Sequence, residues 1–81
     1  MNKNELVHLH ALLARVAEEY VTEGIASRDD FTAYRALGTT PMALRRSRND
    51  HKVATTVLCR TLARLSAEAS SDELAEVPLR P

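Results

Sequence analysis

The stretch NKNELVHLHALLARVAEEYVTEG, residues 2–24, decides the fold. Within it Leu6, Leu9, Leu13, Val16 and Tyr20 recur at steps of three and four, the period of a helix with one apolar stripe. Leu12 and Ala17 are expected to widen that stripe. Asn2 stands where a side-chain cap is needed, and Glu5 three residues later completes a capping-box pattern. Gly24 suits a left-handed C-terminal cap, with Ile25 able to pack back on Tyr20. The spacing therefore predicts a helix over about residues 3–23.

A shorter helix is expected at 28–36. Ser27 caps it, Asp30 is the capping-box partner, Gly38 ends it, and Phe31, Tyr34 and Leu37 form its apolar edge. Pro41 biases Thr40 away from helical angles. Residues 42–48 read equally as a helical turn or an ordered loop. A third helix is expected at 50–69, capped by Asn49, with Ala54, Val57, Leu58, Thr61, Leu62 and Leu65 as its stripe. Residues 1–69 thus form one helical domain. Residues 70–81 read as a flexible acidic tail.

The remaining composition agrees with an all-α class. Apolar residues make up 44% of the 81, only three are aromatic, and two glycines and three prolines are too few for the turns of an all-β fold. A chain this short buries little more than ~60% of its unfolded surface. Small folds usually add disulfides, a metal or a second subunit. A single cysteine, Cys59, excludes an intrachain disulfide. Two long amphipathic helices and a short middle one, with Val7, Val21 and Val53 off the stripes, then predict a helical bundle completed by oligomerisation, most simply a homodimer.

No apolar run approaches the ~20 residues that span a bilayer. The N-terminus lacks signal-peptide architecture, so no membrane partner and a cytoplasmic location are expected. The zero net charge hides an asymmetry: residues 41–64 carry six basic side chains against Asp50 alone, between two acidic flanks. Arg45, Arg46, Arg48 and Lys52 are therefore candidate anion-binding residues, for nucleic acid or another anionic partner. The plainer account of the same run is a solvated face.

The histidines are His8, His10 and His51. On a helix, His8 and His10 point ~200° apart and cannot chelate together. Glu5 and His8, three apart, share a face and suit a metal. His10 lies at the other edge of the apolar stripe, and a packing role is favoured there. His51 falls in the first turn of the third helix, on the face of Leu58, Leu62 and Leu65. A helix N-terminus disfavours a cationic imidazole and keeps it available as a ligand. Asp50 beside it is either a further ligand or a first-turn acid, and His51 either a ligand or a packing residue under the first helix.

Three blocks in this order, Glu5-Leu-Val-His8-Leu-His10-Ala-Leu-Leu13, Tyr34-x-x-Leu37-Gly38-x-x-Pro41 and Ser47-x-x-Asp50-His51-Lys52, resemble a small uncharacterised protein family (a UPF family) of archaea over about residues 1–65. Halophile members are labelled simply "metal-binding protein". The chain departs from the pattern at Arg45, where members often carry histidine, and in lacking a halophile's acidic excess. The resemblance implies a helical cytoplasmic protein and points to metal at Glu5, His8, His10, Asp50 and His51.

Three functional readings follow. The first is a divalent-metal module, zinc favoured, built from Glu5, His8 and His51 with His10 or Asp50 as further ligands. The second is binding of nucleic acid or another anion by residues 45–52. The third is a non-catalytic homo-oligomeric interaction protein. No nucleophile–base set, phosphate loop or cofactor fingerprint suggests an enzyme.

Overall fold

The computed structural model describes the backbone over residues 1–76 and side chains over residues 1–69. Its elements are α1 (Lys3–Thr22), a 3-10 turn (Arg28–Phe31), α2 (Thr32–Ala36) and α3 (Arg48–Glu76). Among the described residues there is no strand, so the all-α class holds. The terminal part of the expected tail, residues 77–81, lies outside the described residues.

α1 begins as its sequence directs. The Glu5 amide donates to Asn2 Oδ1 at 2.9 Å, and the Asn2 amide donates to Glu5 Oε1 at 3.0 Å. It ends on Gly24, whose φ of 79° lets the Gly24 amide reach Val21 O and the Ile25 amide reach Tyr20 O. This is the left-handed cap that the glycine predicted. Ile25, expected to pack on Tyr20, stays 40% exposed.

Three boundaries differ from expectation. The middle helix is split, because residues 28–31 close i→i+3 hydrogen bonds and only 32–36 are α-helical. α3 starts earlier: Ser47, not Asn49, caps it, with the Asp50 amide on Ser47 Oγ at 3.0 Å and the Ser47 amide on Asp50 Oδ2 at 3.2 Å. Aspartate here takes the place glutamate usually holds in a capping box. α3 also continues past Ala69 to Glu76, through the first part of the expected tail. That extension, SSDELAE, holds no glycine or proline to stop a helix.

Contacts advance together along α1 and α3. Arg48 Nε donates to Met1 O, His10 meets His51, and Tyr20 meets Ser66. The two helices are therefore parallel, and residues 23–47 carry the chain back along α1 before α3 begins. The core lies in the angle between these three segments. Phe31, Leu58, Leu62 and Leu65 are buried together, with Leu13, Ala14, Val16, Ala17, Tyr20 and Val21 packed against them. Leu12 was expected to join the buried stripe and instead stands 59% exposed on the outer side of α1. Arg64 ties the return segment to α3 through Asp30 at 3.6 Å.

Candidate functional site

His10 sits one turn after Leu6 on the inner face of α1, and both are buried. His51 opens the inner face of α3, ahead of Ala54, Leu58, Leu62 and Leu65. The parallel arrangement brings the first halves of the two helices side by side. The two imidazoles, each 0% exposed, then meet at 3.0 Å between their Nδ1 atoms, rings edge-on at 69°. The outer nitrogens are held as well. His51 Nε2 lies 3.0 Å from the carbonyl of Ala43, and His10 Nε2 lies 2.6 Å from the hydroxyl of Tyr34.

Hydrogen accounting fixes most of this network. A carbonyl only accepts, so His51 Nε2 carries a hydrogen and, in the neutral ring, Nδ1 is bare. Two bare sp² nitrogens cannot face each other at 3.0 Å without something positive between them. In one arrangement His10 Nδ1–H donates to His51, and Tyr34 donates to His10 Nε2. The chain then runs Tyr34 to His10 to His51 to Ala43 O, with every buried nitrogen satisfied and no net charge. In the other, Tyr34 accepts from His10 Nε2–H, and two bare Nδ1 atoms converge. The Tyr34 hydroxyl, able to turn either way, chooses between them.

Electrostatics favours a neutral His10. Burial holds the His10 pKa below the ordinary 6.5, and the neighbouring His51 lowers it further. Burial likewise raises the Tyr34 phenol, which stays protonated at neutral pH. Beside this satisfied network lies one unsatisfied group. Thr56 and Thr61 return their hydroxyls to the carbonyls of Lys52 and Val57, four residues back. Thr55, one turn after His51 and 6% exposed, does not, and its Oγ1 has no hydrogen-bond partner.

The other candidate ligands lie elsewhere. Glu5 is engaged in the α1 cap and Asp50 in the α3 cap. His8 is exposed, beside a shallow hollow formed with Lys3, Asn4, Val7 and Leu44. Among the described residues no three His, Cys, Asp or Glu side chains group closely enough to hold a metal. Of the five predicted ligands, the fold brings together His10 and His51, the pair whose packing roles the sequence also foresaw. Cys59 is exposed on α3.

Arg45, Arg46, Arg48 and Lys52 are all exposed around the start of α3. Arg48 is turned back onto Met1 O at 2.8 Å, and the Asp50 carboxylate already occupies the helix N-terminus where an anion would sit.

Tyr34 and the Ala43 carbonyl were not among the predicted site residues, since no local spacing relates positions 34 or 43 to 10 and 51. One signal was present: each of the three sequence blocks supplies one ring, His10, Tyr34 and His51.

Comparison with known proteins agrees with those blocks. A 33% identical relative, a UPF0058 protein from Archaeoglobus fulgidus, aligns over 76 residues, 94% of this chain and 81% of its own. No solved structure matches the chain. The model described as "Uncharacterised protein family UPF0058" matches residues 1–80, beyond the 1–65 that the blocks span, and the chain belongs to that family.

Proposed function

We propose that the chain is a non-catalytic binding module that holds a divalent metal ion of the zinc class between His10 Nδ1 and His51 Nδ1. The observation that carries this reading is their 3.0 Å approach, with each ring's other nitrogen already held by an oxygen. Metal-ligating histidines characteristically donate their second N–H to a carbonyl or similar acceptor, which orients the ring. Here Ala43 O serves His51, and Tyr34, turned to accept, serves His10. Zinc–nitrogen bonds of about 2.0–2.1 Å at a tetrahedral angle separate two ligands by roughly 3.3 Å, a few tenths more than the present gap. The depressed His10 pKa keeps that ring neutral at pH 7 and ready to ligate. Two protein donors leave positions for water or another ligand, and the uncommitted Thr55 hydroxyl is one oxygen on the same helix face. The basic segment offers no comparable arrangement, because Asp50 competes for any anion at the start of α3.

The test uses untagged protein, since a polyhistidine tag would bind the same metals. Native mass spectrometry after equilibration with zinc should show one zinc per chain. The ion should disappear in His10→Gln and in His51→Gln and persist in His8→Gln. Absence of bound zinc, or equal zinc in all three variants, would leave the hydrogen-bonded relay as the whole role of the pair.

We further propose that the module self-associates through the outer face of α1. Leu12 stands 59% exposed on that side with half-buried Leu9 beside it, and among the described residues no other element covers Leu12.

A further inference from the structure

A groove of about 630 Å³ runs between α1 and the returning segment, on the opposite side of α1 from Leu12. Its walls are mainly apolar: Ala14, Ala17 and Val21 from α1, Phe31 from the 3-10 turn, and Pro41. The two alanines are what leave it open, since larger side chains at 14 and 17 would fill it. The volume falls within the range of small-molecule sites, roughly 300–1,000 Å³.

The charged groups are unevenly spread. Arg28 and Arg35 both line the groove, and neither has an ion-pair partner among the described residues. Asp30, close by in sequence, is committed to the Ser27 amide at 2.8 Å and to Arg64. Glu18 is the one carboxylate lining the groove, so two cations face one anion over an apolar floor. Guanidinium groups pair with carboxylates through parallel N–H···O bonds, and an aliphatic chain prefers the apolar wall to water.

We propose that this groove binds a free amphipathic carboxylate, its aliphatic chain along Ala14, Ala17, Val21 and Phe31 and its head group at Arg28 and Arg35. The complementarity is of charge with chain: an uncharged chain would forgo the arginines, and a compact inorganic anion would forgo the walls. The groove shares the Tyr34 side chain with the histidine pair but uses neither imidazole, so it stands or falls without the metal.

Decanoate is a suitable probe, titrated into isotope-labelled full-length protein and followed by amide chemical shifts. Saturable shifts should centre on Ala14, Ala17, Val21, Phe31 and Tyr34. The double variant Arg28→Gln, Arg35→Gln should weaken decanoate about tenfold and leave decanol, the uncharged isostere, unchanged. Glu18→Gln should strengthen decanoate by removing the opposing charge. All three substituted side chains are exposed, so the fold survives the changes. Ala14→Leu, by filling the floor, should weaken decanoate and decanol alike. The proposal is overturned by no saturable binding at millimolar decanoate, by shifts centred away from the groove, or by equal affinity in the arginine variant. Covering of the same residues by a second copy of the chain, seen as concentration-dependent shifts without ligand, would overturn it too.

Discussion

A buried imidazole is tolerated when both of its nitrogens have partners, and His10 and His51 satisfy each other on one side and an oxygen on the other. Adding one proton upsets this. A doubly protonated His10 needs two acceptors, so Tyr34 must turn, and a doubly protonated His51 needs the His10 hydrogen to move to Nε2. The cost appears as the lowered His10 pKa, caused first by burial and then by His51. The sign follows from linkage: the unfolded chain takes up the proton more readily than the folded one. This contribution is complete above the ordinary 6.5 and is lost as pH falls below it toward the folded pKa. Asp30, also depressed, by the Ser27 amide first and Arg64 after it, acts in the same direction but below its ordinary 3.8. The urea midpoint should therefore fall between pH 7.5 and pH 5.5, and fall less in His10→Gln. A midpoint that stays flat over that range would contradict a neutral, buried His10. The burial of both histidines was legible in the sequence, because each sits in phase with leucines. Their mutual contact was not, since it depends on the two helices lying parallel rather than on any local pattern.

At the scale of elements, local chemistry is more predictable than length. Asn2, Glu5 and Gly24 bound α1 as their types require, because a cap is a bond between neighbours in sequence. The end of α3 escaped prediction for the complementary reason: residues 70–76 contain no glycine or proline to stop it, and a polar, acidic composition says nothing about where hydrogen bonding ceases. The 3-10 turn at residues 28–31 was equally hidden, since i→i+3 and i→i+4 bonding share the same capping residues. Gly24 allows a clean measurement of one such local term. Its φ is 79°, and a Cβ built there meets nothing within 4 Å. Gly24→Ala should therefore cost only the backbone penalty of the left-handed region, about 1 kcal/mol. Chemical denaturation of the two proteins measures it directly. A loss several times larger would mean that the methyl group collides, and no loss would mean that the cap is not held.

The whole molecule is more open than its mass warrants. Its radius of gyration is 14.9 Å, against about 12 Å for a compact chain of this length. Its accessible surface is 6070 Å², where a compact 9.0 kDa protein exposes about 4,900 Å². The difference, roughly 1,200 Å², has a structural origin. α3 at 29 residues outruns α1 at 20, and the return segment covers only one side of the parallel pair. A stable dimer needs about 800 Å² from each partner. The outer side of α1 carries Leu12, 59% exposed, with half-buried Leu9 beside it. Short chains gain most from such burial, because their own cores are small. Sedimentation equilibrium should accordingly report a dimer at tens of micromolar. Leu12→Glu should return it to a monomer, while the helical circular dichroism is kept because the side chain is not part of the core. A native chain that sediments as a monomer at that concentration would refute association. A Leu12→Glu protein that remains dimeric would move the interface to another face, where Met42 and Leu44 in the return segment stand even more exposed than Leu12, at 80% and 61%.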